Sequence, residues 1–259
     1  MRGKRRAVRV LRKPQVLPRR EQEKPGQPLQ PVTAFRDPAC QLSVIVPAAE
    51  RSVSLIPSLL TLQPLREEGH EVILLDRGGG DIVELVGELV DQIVEGAADG
   101  VRQFNLGARY AWGEVLLFLP VGGLLPEGAD RLIFEALSGS GCDWGCFRAG
   151  SDGCHPVVWA RAACLNLRTR FTAIVSGEQG IFVRRSLFEQ CGGFPQTAVA
   201  EGAALSRILR EHGRPVCLRS EIAVSSGRRG GRKVWWRRWP RLPVTGQSHG
   251  QLRRRTGHR

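Results

Sequence analysis

An α/β fold, with a mainly parallel sheet covered by helices on both faces, is what the sequence predicts, on three observations. Short apolar runs of strand length, Leu42–Val46, Glu71–Asp76 and Val115–Leu119, end against Pro47, Arg77-Gly78 and Pro120. Between them lie segments whose apolar residues recur at near-helical spacing. Within the runs, apolar residues are consecutive rather than alternate, the pattern of strands buried on both faces. Strands alternating with helices at this spacing imply βαβ units. The 259 residues, 42% apolar and 24% charged, are ample for such a core.

In order along the chain, residues 1–40 read as a disordered extension, basic first and Pro/Gln-rich from Gln22 to Pro38, too poor in apolar surface to offset ordering entropy. Leu42–Val46 is the first strand; Leu55, Leu59, Leu60 and Leu62 then mark a helix that closes at Gly69. After the strand Glu71–Asp76 and the glycines at 78–80, Asp81 caps a helix whose face is Ile82, Leu85, Val86 and Leu89. A brief strand at Gln92–Glu95, a helix over Val101–Trp112, the strand Val115–Leu119 and a helix near Glu127–Leu137 complete the first half. The second half is less regular. A Cys/Gly/Trp-rich stretch at 138–155 carries no clear element, and a helix is expected over Val157–Arg170. A strand at Gly180–Arg184, the turn Gly192-Gly193-Phe194-Pro195, a helix at Glu201–Glu211 and a last strand near Pro215–Leu218 follow. The organisation expected is an extension (1–40), one domain (41–226) and a basic tail (227–259).

The charge is uneven. Lys and Arg number 38 against 25 Asp and Glu, a formal net of +13. Residues 1–20 hold nine Lys/Arg and residues 226–259 hold eleven, with no acid in either, so residues 21–225 carry 18 basic against 25 acidic residues, a net of −7. Two basic tails on an acidic body exclude a uniformly basic nucleic-acid-binding fold. No apolar run is long enough for a transmembrane helix, and Met1–Arg20 lacks the apolar stretch of a secretory signal. Seven cysteines, an odd number, favour a reducing compartment over a disulfide framework, and so the cytoplasm.

In open parallel sheets, ligands bind beyond the carboxyl ends of the strands. Those ends are Pro47–Glu50, Asp76–Gly80 and Pro120–Gly123. Glu50 and Asp76 are placed to meet at one crevice, with Asp76 accepting hydrogen bonds from a ribose or base. A capping or turn role for Asp76 and a solvated loop for Glu50 are the alternatives. Neither GxGxxG nor GxxxxGKS occurs. Cys142, Cys146, Cys154 and His155 are spaced unlike common zinc sets. Cys191 and His212 with Glu201 form a weak nucleophilic grouping, and His70 reads as a loop residue.

The segments Leu42–Glu50, Leu74–Asp81, Gln103–Ala108, Gly113–Leu119, Gly177-Glu178-Gln179, Phe182–Arg185 and Gly192–Pro195 together resemble family 2 glycosyltransferases of the GT-A fold, specifically a group of short bacterial members. The likeness runs in order and register from Leu42 to about Arg241, and Ser225–Arg229 and Val234–Trp236 are similar to that group's C-terminal region. The resemblance implies a GT-A type, Rossmann-like sheet and a nucleotide-diphosphate-sugar donor at its carboxyl edge. By position it implies donor contacts at Pro47, Glu50, Asp76, Gly78, Gly79, Asp81, Asn105 and Gly107, and an acceptor side at Glu178-Gln179.

Two departures from the family pattern concern chemistry. After the strand ending at Leu119 the family carries an acidic metal-binding element; here the residues are Pro120-Val121-Gly122-Gly123, with Gly122 at the acid's place. No carboxylate remains to hold Mg²⁺ or Mn²⁺, so no metal cofactor is expected. Glu201-Gly202 stands where the family carries Glu-Asp, so the general base, worth about 10²–10⁴-fold in rate, falls on Gly202. Glu201 and Glu178 are the nearest substitutes, although a one-residue offset at a helix start redirects a side chain. Ala49 and Gly100 likewise stand where the family has Asn and Arg. The readings carried forward are a weakened or inactive sugar transferase and a basic-tailed adaptor. In the tail, cations alternate with Trp235, Trp236 and Trp239, which suits an anionic membrane surface or a solvated helix end ahead of nucleic acid. The expected location is the cytoplasm, with contact at the inner face of the membrane.

Overall fold

The computed structural model describes residues 15–17, 40–48, 54–76, 82–95, 100–150, 156–195 and 201–224. The strands are β1 (Gln15–Leu17), β2 (Leu42–Pro47), β3 (Glu71–Asp76), β4 (Gln92–Glu95), β5 (Val115–Phe118), β6 (Gly123–Leu124), β7 (Trp144–Ala149), β8 (Ile181–Arg184) and β9 (Val216–Val224). Their order in the sheet is β1-β4-β3-β2-β5-β8-β7-β9-β6. Strands β1 to β5 pair in parallel, whereas β8 runs antiparallel between β5 and β7.

Alternate residues of the central strands enter two separate cores, which is why the runs are apolar throughout. On one face Val44, Val46, Val72, Leu74, Val115 and Leu117 pack against α1 (Leu55–Thr61), α2 (Gln63–Glu67) and α5 (Ala129–Ser140). On the other, Ile45, Ile73, Leu75, Leu116 and Phe118 meet α4 (Gly100–Tyr110), α7 (Arg185–Gln190) and α8 (Glu201–Leu209). Between α5 and α8 in sequence lies α6 (Pro156–Thr172), and α3 (Ile82–Val86) leads into a 3-10 turn at Gly87–Leu89.

Several expectations are corrected. Within 1–40, read as an extension outside the fold, Gln15–Leu17 pairs with Gln92–Val94 and adds an edge strand. The stretch at 138–155 contains β7, whose Trp144–Phe147 are buried. The helix after Asp81 is broken at Gly87, and Leu85 is 61% exposed rather than on the buried face. The last strand continues to Val224, and Arg185–Gln190 forms a helix that the sequence did not suggest. The tail 227–259 lies outside the described residues.

Polar clusters fasten the amino-terminal edge of the sheet. Arg66 grips Asp91 with two guanidinium bonds of 3.1 and 3.2 Å, and Asp91 accepts from the Val72 amide at 2.9 Å. Glu71, 1% exposed, accepts from Ser43 Oγ at 2.5 Å, from the Trp112 amide at 2.8 Å and from the Gln92 side-chain amide. Burial pushes its carboxyl up to about 7, against the pull of those three donors.

Candidate functional site

The strand order reverses at β2: β3 and β4 extend on one side and β5 on the other. Such a switch point opens a crevice at the carboxyl ends of the flanking strands. Pro47 ends β2 there, and the next amide, Ala48 N–H, donates to Leu75 O at 2.8 Å. Asp76, half-buried, ends β3 in register with Glu95 of β4, so two acids stand abreast at this edge. The sequence does not single out Glu95, because its place follows from strand register. Glu50, Gly78, Gly79 and Asp81 lie outside the described residues.

Beyond β5 the chain reverses at once. Gly123 N–H donates to Pro120 O at 2.9 Å, and Gly122 takes the left-handed position of the turn with φ +65°. Ser58 Oγ of α1 donates to Gly123 O at 2.5 Å, and β6 pairs antiparallel with Ala223–Val224. Residues 115–126 contain no carboxylate or imidazole. Side-chain ligands for a hard cation are absent from this segment, so these residues do not fit the metal-binding element that the resemblance implies here.

A 3-10 turn at Gly177–Gln179 approaches the same edge, since Ile181, which follows Gly180, pairs with Phe118 at the end of β5. Gln179 is 1% exposed, and its Oε1 accepts from Thr169 Oγ1 at 2.7 Å and from Ser176 N–H at 3.0 Å. Its amide is thus occupied in holding the turn on α6. Glu178 forms an ion pair with Arg161 of α6. At Gly202 a Cβ would lie 2.7 Å from Gly177 N and 3.0 Å from both Gly177 Cα and Ser176 C. The start of α8 therefore rests directly on the 177–179 turn, and Glu201 and Glu178 flank a contact between backbones.

Asn105 and Gly107 lie on α4. Asn105 Nδ2 donates to Phe194 O at 2.9 Å and its Oδ1 accepts from Phe194 N–H at 2.8 Å. It thereby clamps the Gly192–Pro195 turn, where Gly192 and Gly193 adopt φ of +75° and +76°. At Gly107 a Cβ would come within 2.7 Å of Leu75 Cδ2 and 2.8 Å of Ile45 Cγ2, so glycine is what lets α4 press onto the sheet.

The remaining candidates divide. Cys146 does not group with Cys142; its thiol donates to Cys217 Sγ across 3.9 Å, while Cys154 and His155 are outside the described residues. Cys191 Sγ lies 3.7 Å from His212 Nδ1, but burial raises the Cys191 thiol, the wrong direction for a nucleophile. His70 is buried against Phe134 with Nε2 3.5 Å from Asp130 Oδ2. With Glu68 these two make the one metal-like grouping among the described residues, at the opposite edge of the sheet, before β3. The bond from Cys146, aided by Arg214 and Arg170 and opposed by burial, brings the Cys217 thiol down to about 7. Cys217 is therefore expected to alkylate roughly ten-fold faster at pH 7 than an unperturbed exposed thiol. Peptide-resolved iodoacetamide kinetics check this, and a rate no higher than that of exposed Cys164 refutes it.

No protein-family model and no curated protein matches the chain. Solved structures do. It is similar to mannosyltransferase PcManGT from Pyrobaculum calidifontis, solved with GDP-Man and Mn²⁺, at 18% identity and a TM-score of 0.53, over 78% of this chain and 62% of that one. It is similar to residues 1–349 of S. aureus TarS in complex with UDP-GlcNAc, at 17% identity and a TM-score of 0.57, over 74% and 60% of the two chains. The same portion of TarS with UDP gives 17% and 0.54, over 71% and 60%. The chain thus spans about three-fifths of the length of these matched chains. At such identities the likeness establishes the fold, a GT-A type, Rossmann-like α/β sheet shared with glycosyltransferases.

Proposed function

We propose that the chain is a family 2-like glycosyltransferase homologue that binds a nucleotide-diphosphate sugar at the carboxyl edge of β2, β3 and β5 and has lost metal-dependent transfer. The observation that carries this reading is the packing at Gly202: the position of the base is filled by backbone contact with Gly177. The carboxylate-free turn at 120–123 supports it, because a departing diphosphate then lacks a charge-neutralising cation. GDP-Man, UDP-GlcNAc and UDP in the structural neighbours support a nucleotide-sugar ligand. Residual transfer through Glu201 or Glu178 is the second reading, and the Arg161 ion pair weighs against Glu178 as a base, since it ties that carboxylate to α6. In this reading the basic tails hold the protein at an anionic membrane surface on the cytoplasmic side. No helix among the described residues is long and apolar enough to cross a membrane.

Thermal shift against UDP, UDP-sugars and TDP-sugars, with and without Mn²⁺, tests the proposal. Saturating nucleotide at about 100 Kd is expected to add about 2.7 kcal/mol, some 5–10 °C in Tm, equally with and without metal. Stabilisation that requires Mn²⁺, or Mn²⁺-dependent sugar transfer by the wild type, would overturn it, and transfer that survives Glu201→Ala and Glu178→Ala together would overturn the second reading.

A further inference from the structure

Helix α6 is packed on the wrong side for an ordinary surface helix. Its buried positions are Ala162 and Thr169, with Asn166 bonded to Ala149 N–H at 2.8 Å and to Ala149 O at 3.0 Å. The opposite face carries Val157, Ala160, Cys164, Leu167 and Phe171, spaced three and four residues apart, the interval that makes one continuous apolar seam. That seam faces outward. Val157, Leu167 and Phe171 are 67%, 59% and 73% exposed, and Ala160 and Cys164 are exposed. Arg161 and Arg168 border the seam on one side and Arg170 on the other, and the helix contains no acid. Arg161 is paired with Glu178, and Arg214 donates to Arg170 O at 3.0 Å and adds a further cation at that end.

We propose that this seam is a docking face for an anionic lipid bilayer, on which α6 lies parallel to the surface. An apolar stripe bordered by arginines, with Phe171 at one end, matches the interface between headgroups and acyl chains. The 17 residues of α6 would cover a strip about 25 Å long. Charge chooses the occupant. A second copy of α6 packed seam to seam would set arginine against arginine, in either orientation. The chain's own ends are no better, since residues 1–20 and 226–259 are basic and acid-free. Those tails are instead attracted by the same anionic surface and would add to the avidity of the helix. Because α6 is held in place by Asn166 and Thr169, it has no need to fold on contact. The inference is independent of the nucleotide site, and its test reads no nucleotide.

The full-length chain is floated with phosphatidylcholine vesicles, with and without phosphatidylglycerol. Flotation is expected only with the anionic vesicles and is expected to weaken with salt. The double variant Leu167→Glu/Phe171→Glu, at exposed positions that leave the core untouched, is expected to bind about ten-fold more weakly. Alkylation of Cys164, on the seam, is expected to slow on anionic vesicles while that of Cys142, at the end of α5, does not. Equal binding to neutral vesicles, no binding at all, or full binding by the variant with Cys164 still reactive would each overturn the proposal. So would a dimer in solution that the double variant dissociates, which would assign the seam to a second copy.

Discussion

Gly202→Asp, which introduces the acid that the family resemblance implies at this place, is expected to destabilise the protein and to supply no working base. The side chain has nowhere to go: its first atom would sit 2.7 Å from Gly177 N and 3.0 Å from Ser176 C, and both neighbours are backbone. A clash with a flexible side chain relaxes by a rotamer change, whereas this one requires α8 to lift from the 177–179 turn. That turn is fixed by Gln179, Thr169 and Ser176, and Ser206 of α8 accepts from Val175 N–H at 3.0 Å. Lifting α8 therefore strains several bonds at once. Overpacking of this kind costs about 1–3 kcal/mol, or about 2–4 °C in Tm for each kcal/mol in a domain of this size. Gly202→Ala isolates the steric part, and the carboxylate of Asp adds desolvation. The measurement is urea unfolding of the wild type and both variants, with a sugar-transfer assay beside it. A Gly202→Asp variant as stable as the wild type would mean that the two segments separate easily. One that also transfers sugar would mean that a single substitution silenced an otherwise intact enzyme.

The fold was legible where local and tertiary demands coincide. Strands β2, β3 and β5 are buried on both faces, so their runs are apolar without interruption and can be read directly. Strand β7 was hidden because close packing, not apolarity, defines it: Gly145 lies where a Cβ would collide with Val216 O, and glycine is a weak strand signal. Strand β9 passes through Arg219, Ser220 and Glu221, with exposed and half-buried residues interleaved, and so resembles a loop. Strand β1 exists through its pairing with β4 and has no pattern of its own.

The candidate site divides in the same way. Asp76 and the carboxylate-free run at 120–123 are visible as residue types at strand ends. The occupancy of Asn105 and Gln179, and the contact at Gly202, arise between segments distant in sequence, and residue types alone do not reveal them. For α6 the periodicity predicts a helix, but which face is turned outward depends on the partners of Asn166 and Thr169.

Glu71 governs the second large effect, on stability as a function of pH. Its carboxyl titrates near 7 in the folded protein against an ordinary value of 4.5, so between those values the folded state holds a proton that the unfolded chain has released. Unfolding then releases that proton, and stability falls as pH rises. The contribution is fully present below about pH 4.5 and lost through pH 7, a swing on the order of 3 kcal/mol. Glu71→Gln mimics the protonated acid and is expected to stay folded with a flatter profile. The difference in unfolding free energy between the two proteins, measured at intervals from pH 5 to pH 8, isolates this group from the other titrating residues. Glu71→Ala removes the acceptor for Ser43 Oγ, the Trp112 amide and the Gln92 side chain and is expected to cost about 2–5 kcal/mol at any pH. Because Trp112 closes the end of α4, deprotonation should tighten its amide bond to the carboxylate locally even as the fold loses stability globally. Amide exchange at Trp112 is thus expected to track global unfolding at high pH. A wild-type profile parallel to that of Glu71→Gln across the whole range would show that the three donors, rather than burial, set the proton affinity of this carboxyl.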